Sequence, residues 1–114
     1  MHSEIRNKPI VKFSDNVSSY FDDLTTTLFW QDYFGFIDSA LQYVLDMKNY
    51  IETYISILPT FAAPRYFDKY QKGMKYMMYH ANKQTTWYIF FKQKYNQFMI
   101  YYITNNHFEG QYIR

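Results

Sequence analysis

The chain has no cysteine, which excludes disulfide cross-links, thiolate metal sites and cysteine nucleophiles, and a reducing, cytoplasmic setting is expected. Its three glycines, Gly35, Gly73 and Gly110, cannot build either of the common glycine-rich phosphate cradles, so nucleotide-cofactor chemistry is not expected. Histidine is equally sparse: His2, His80 and His107 lie far apart, with no pair at ligand spacing, and no metal or other cofactor is expected. None of the serines, Ser3, Ser14, Ser18, Ser19, Ser39 and Ser56, occupies a strand-to-helix turn of the nucleophile-elbow kind, which leaves acyl transfer without support. Long apolar runs are missing too. The longest, Trp87 to Phe91 and Phe98 to Ile103, fall far short of a membrane span, and Met1-His2-Ser3-Glu4-Ile5-Arg6 lacks the apolar stretch of a secretion signal. No membrane association is expected.

Aromatic residues are abundant instead. Fourteen tyrosines and eleven phenylalanines bring the aromatic fraction to 24%, more than core packing usually demands. Two accounts compete: a compositional bias in which Tyr, Phe, Ile, Asn and Lys rise together, or an aromatic contact surface, since tyrosine offers large, stiff area with a polar tip. At 114 residues the chain can bury one core, and a single domain over 1–114 is expected. The net charge of +2 is unevenly spread: residues 1–60 carry four Lys or Arg against eight Asp or Glu, and residues 61–114 carry eight against two. A basic half with interleaved rings suits a nucleic-acid face, because lysines neutralise phosphates while rings stack on unpaired bases. An anionic protein partner would be served equally well.

The local patterns predict an α+β fold. Ile10-Val11-Lys12-Phe13 reads as a short strand, and Ser14-Asp15 as the cap of a helix whose stripe is Val17, Phe21, Leu24 and Leu28. A second helix is expected from near Asp32, carrying Phe34, Ile37, Leu41, Val44, Leu45, Ile51 and Ile55 and ending before Pro59, to form a hairpin with the first. Residues 59–73, with Pro59, Pro64 and Gly73, read as a loop. Beyond it the period becomes two, and Met74–Ala81, Thr85–Lys92 and Gln97–Thr104 read as a three-stranded antiparallel meander. With Ala81 opposite Thr85 and Lys92 opposite Gln97, one face holds Met77, Tyr79, Trp87, Ile89, Phe91, Phe98, Ile100 and Tyr102 and is assigned to the helices. The other, expected to be at least partly open, holds Met74, Tyr76, Met78, His80, Tyr88, Phe90, Lys92, Met99 and Tyr101.

Tyrosine, histidine and lysine without a metal form a set that can cleave RNA: a base takes the 2′-hydroxyl proton, an acid protonates the leaving oxygen, and cations stabilise the phosphorane. His107, after the last strand in Thr104-Asn105-Asn106-His107, is the leading acid–base candidate; the bland alternative is a turn or capping histidine. His80 is a second candidate, or a half-buried sheet residue. Tyr112 is a third, or a tail anchor packed on the sheet. Lys69, Lys72, Lys75, Lys83, Lys92, Lys94 and Arg114, individually solvated charges, together make a basic patch, with Tyr76, Tyr88 and Tyr101 as candidate stacking rings for RNA.

The sequences Ile10-Val11-Lys12-Phe13-Ser14, Ala40-Leu41-Gln42-Tyr43-Val44, Lys72-Gly73-Met74-Lys75-Tyr76-Met77-Met78-Tyr79, Thr86-Trp87-Tyr88-Ile89-Phe90-Phe91 and Met99-Ile100-Tyr101-Tyr102-Ile103-Thr104-Asn105-Asn106-His107 span almost the whole chain. Their order of strand, helical hairpin and basic meander resembles the RelE/ParE superfamily of toxins from bacterial type II toxin–antitoxin pairs. The resemblance implies a cognate antitoxin as partner and, for the ribosome-dependent branch, an endoribonuclease cutting mRNA, with His107 and Tyr112 in catalytic positions. That branch places an arginine at the start of the middle strand, where this chain has Lys83-Gln84-Thr85-Thr86. The other branch inhibits DNA gyrase without a catalytic set. A non-toxic protein-interaction module, its aromatic face receiving a partner's helix or strand, is the third expectation.

Overall fold

A computed structural model describes residues 8–30 and 37–113, with only the backbone of Ile37; the expected contributions of Asp32, Phe34, the Ile37 side chain and Arg114 lie outside the described set. Strand β1 (Ile10–Phe13) leads directly into helix α1 (Asp15–Trp30). The Ser14 hydroxyl accepts the Val17 backbone N–H at 3.2 Å, satisfying one of the donors a helix start leaves unpaired. Val17, Phe21, Leu24 and Leu28 are all buried, as their spacing requires. Helix α2 (Ile37–Tyr54) follows and packs on α1. Its buried stripe is Ala40, Val44, Met47 and Ile51, continued by Ile55 beyond the helix end, whereas Leu41 and Leu45 are exposed. The two leucines sit one position past the inward-facing residues, and the smaller Ala40 and the flexible Met47 take the core positions instead.

The segment expected to be loop is ordered: Phe61–Ala62 forms β2 and Arg65–Lys69 a 3-10 helix. Strands β3 (Lys75–His80), β4 (Thr86–Lys94) and β5 (Gln97–Asn105) then complete a five-stranded mixed sheet in the order β1-β5-β4-β3-β2, with β1 parallel to β5 and the other pairs antiparallel. The chain closes with a short helix α3 (Asn106–Glu109) and a 3-10 turn (Gly110–Tyr112). The β3–β4 turn closes as expected, the Ala81 N–H reaching the Thr85 carbonyl at 3.0 Å. The β4–β5 turn is tighter than expected. Lys94, not Lys92, lies opposite Gln97, and Tyr95 turns the chain with φ 59°. A slip of two residues keeps each side chain on its face, so the facial sorting survives up to a bulge on β5. There Phe90 pairs with Tyr102 but Phe91 with Ile100, which leaves Tyr101 as the extra residue. The parity of β5 therefore flips: Tyr102 turns to the outer face, contrary to expectation, and Ile103 enters the helix-side core.

Each face of the sheet carries a core. Met77, Trp87, Ile89, Phe91, Phe98, Ile100 and Ile103 meet the helices in the larger core. On the outer face Phe67, Met74, Tyr76 and Phe90 form a second core, closed over by the 3-10 helix and by Ile113 near the chain's end. Phe67 stacks on Phe90 with ring centroids 4.4 Å apart. Residues 63–67 thus seal Met74, Tyr76 and Phe90, while His80 and Lys92 stay exposed and Met78, Tyr88, Met99 and Tyr101 half-buried, so this face is partly open, as expected. No described helix is long and apolar enough to cross a membrane.

Candidate functional site

The end of β5 and the start of β4 are stitched into one corner. The Asn106 side chain accepts the Thr86 N–H at 2.8 Å and donates to the Gln84 carbonyl at 3.0 Å, so it replaces strand pairing just where the ladder ends. Asn105, which is buried, caps α3 by accepting the His107 N–H at 2.9 Å. Asn82 accepts the N–H groups of Gln84 and Thr85 at 2.9 Å each and fixes the turn opposite. His107 is left exposed on this frame, its Nε2 3.0 Å from Thr85 Oγ1.

Beside His107 opens a cavity of about 520 Å3 between α1, α2 and this corner, walled by Tyr20, Tyr43, Trp87 and Phe108, with Asp23 and His107 among its polar members. The buried Trp87 indole donates to the Tyr43 hydroxyl at 2.8 Å, and Tyr20 meets Trp87 edge-on at 6.4 Å. Burial pushes the Tyr20 phenol up to about 12, with the Tyr43 hydroxyl and the Glu109 charge adding to the effect. No lysine or arginine among the described residues lines this cavity, so those residues supply it with no phosphate clamp.

On the far side of Phe108 a second cluster is built on Glu109. Its carboxylate accepts hydrogen bonds from Tyr102, from Tyr66 at 3.0 Å and from Tyr70 at 3.3 Å. Burial raises the Glu109 carboxyl, but these hydroxyls and that of Thr104 outweigh it and hold the group below its ordinary value. The same interactions, with burial foremost, push the Tyr102 phenol far up. Tyr70 stacks on Tyr102 at 3.7 Å and Tyr66 on Tyr112 at 3.8 Å. Lys69 Nζ lies 3.8 Å from the centre of the Tyr66 ring.

The three residues singled out for acid–base work are therefore not gathered at one point. His107 lines the helix-side cavity, while His80 is exposed on the outer face, its Nδ1 2.9 Å from Thr86 Oγ1. His80 pairs with Thr86 on the outer face, whereas Thr85, just before β4, meets His107 at the helix-side cavity, so the two histidines are held on opposite sides of the sheet. Tyr112 stacks on Tyr66 in the Glu109 cluster. The expected basic and aromatic patch is also divided. Tyr76 is buried in the outer core and presents no free ring, while Tyr88 and Tyr101 are half-buried at its margin. Lys69 packs on Tyr66, Lys72 is exposed before Gly73, Lys75 lies on the helix side opposite Phe91, and Lys83 sits in the β3–β4 turn. Lys92 does have company: it and Lys12 flank Met99 in one cross-strand row of the outer face, and Lys94 stands two residues on, opposite Gln97. All three are exposed.

Sequence reasoning missed Thr85, Asn105, Asn106 and Glu109 as organisers. A signal for Asn105 and Asn106 was present in the Asn105-Asn106-His107 run, whose amides suit caps and turns; Glu109, with partners 43 and 39 residues away in Tyr66 and Tyr70, had none. Comparison with protein families, characterised proteins and solved structures finds no match for this chain.

Proposed function

We propose that the chain is the toxin of a toxin–antitoxin pair of the RelE/ParE type, and that it acts by binding its target, DNA gyrase, not by cutting RNA. The order of strand, helical hairpin and meander supports the kind of toxin. The separation of His107, His80 and Tyr112 carries the choice of mode, because general acid–base cleavage needs two proton-transfer groups within hydrogen-bond reach of one phosphate. The lining of the His107 cavity, without lysine or arginine among the described residues, supports the same choice. In this reading the Thr85–Asn106–His107 corner is a rigid contact surface, and the row Lys12, Lys92 and Lys94 steers the chain toward a negatively charged nucleoprotein target. The purified chain is expected to inhibit supercoiling of relaxed plasmid by gyrase, with His107→Ala reducing inhibition less than threefold. Full supercoiling in the presence of the chain would overturn the assignment of the target.

One observation favours a second reading, mRNA cleavage at the ribosome: His107 is exposed and, among the described residues, only Thr85 engages its ring. A ribosome-bound message would then have to meet His107 with neither His80 nor Tyr112 beside it.

A further inference from the structure

Between the first turn of α1 and the end of β5 lies a cavity of about 530 Å3, lined by Tyr20, Tyr70, Tyr101, Tyr102, Phe108 and Glu109 among others, and by no lysine or arginine among the described residues. It opens where β1 stops: β1 covers β5 only from Gln97 to Ile100, so the edge from Tyr101 onward is left to this cavity. Five aromatic rings around one carboxylate is an unusual chemistry for a wall. A negative charge in such a place calls for a cation, and rings attract cations over their faces.

The hydrogen bonding of Glu109 restricts which cation fits. Tyr102 donates to Oε1, Tyr66 and Tyr70 both donate to Oε2, and Thr104 adds a further side-chain bond, so the carboxylate's acceptor positions are filled by neutral donors. Its charge remains, and it is felt across the cavity at Tyr20. A primary ammonium carries three N–H groups that need acceptors and would have to displace tyrosines to find them. A quaternary ammonium has no N–H, and requires only the field of the carboxylate and ring faces. Among the described residues Tyr101 and Phe108 stack on no other ring, and Phe108 is 69% exposed, so both have faces to offer. The neighbouring tyrosines already hold a cation in this manner, since Lys69 Nζ stands 3.8 Å from the Tyr66 ring centre and 5.4 Å from that of Tyr70.

We propose that this cavity binds a quaternary ammonium group. The group could arrive on a small molecule such as choline or on a trimethylated lysine of a polypeptide; the recognising chemistry is the same. NMR titration of the full chain with choline is expected to shift the resonances of Tyr101, Tyr102 and Phe108. The neutral isostere with carbon in place of nitrogen, and ethanolamine as the primary amine, should each bind about tenfold more weakly. A short peptide carrying trimethyllysine that binds more tightly than choline would assign the group to a polypeptide; equal or weaker binding would assign it to a small molecule. Glu109→Gln should lower choline affinity about tenfold while leaving the neutral isostere unchanged. Because that substitution also disturbs the tyrosine bonds, Phe108→Ala provides the independent check, with a several-fold loss expected and the carboxylate untouched. Absence of choline-induced shifts in the wild-type chain, or equal affinity for choline and its neutral isostere, overturns the proposal.

Discussion

Trp87 is 3% exposed and gives its indole N–H to Tyr43, so the bond joins α2 to the middle of the sheet. Tyr43→Phe removes the acceptor while keeping the ring, and the stranded donor should cost about 1–3 kcal/mol in urea unfolding; a change within a few tenths would show that water replaces the hydroxyl. A residue at the opposite end of the sheet carries the reverse expectation. Tyr95 is 87% exposed and holds φ at 59°, a left-handed backbone that costs a side-chain-bearing residue about 1–2 kcal/mol. Asparagine tolerates that conformation, so Tyr95→Asn should raise stability by up to about 1 kcal/mol, with no packing lost. Gly73, at φ 71°, solves the same problem in the usual way.

At the scale of elements, the Glu109 cluster ties α3 and the 3-10 helix to β5, and its strength depends on pH. The Glu109 carboxyl is held below its ordinary value in the fold, so its stabilisation is present above the unfolded-state value and is lost as pH falls through the folded one. Glu109→Gln should therefore flatten the acid limb of stability without altering the plateau's shape near neutrality, as followed by thermal unfolding across pH; an unchanged acid limb would mean that other carboxylates dominate. The elements themselves were legible to different degrees. Val17, Phe21, Leu24 and Leu28 declared α1 because four apolar residues at helical spacing have one physical meaning. The stripe of α2 was read through its leucines, yet Ala40 and Met47 occupy the core, since burial follows the helix's angular phase and not the size of each residue. The β5 bulge left no trace in the sequence: an inserted residue in a run of aromatic and β-branched residues looks like its neighbours, and only pairing with β4 reveals it. The 3-10 helix over Arg65–Lys69 was hidden by the prolines that precede it, although Phe67, fully buried, is what seals the outer core.

For the whole molecule, the charge asymmetry of the sequence resolves into separate places. Lys12, from the acidic half, joins Lys92 and Lys94 around Met99 and Gln97, while Lys69 is engaged by tyrosines and Lys75 lies on the other side of the sheet. Composition can count charges but cannot say which strand stands beside which, and the parallel pairing of β1 with β5 is what brings Lys12 in. The same limit applied to the candidate site: His107 was recognisable by its place after the last strand, but its distance from His80 and Tyr112 depended on which face each residue took. If gyrase is the target, as proposed, and the lysine row guides encounter with it, replacing Lys12, Lys92 and Lys94 together with glutamate should slow association with gyrase at low salt by at least about tenfold and have little effect at high salt. Equal rates at both ionic strengths would remove the row from the account. The central claim is arrest of growth without scission of RNA. It is tested most directly by mapping transcript 5′ ends in cells expressing the wild-type chain or His107→Ala. The account predicts that both arrest growth and yield the same 5′ ends as uninduced cells; new ends that appear with the wild type and vanish with the variant would contradict it.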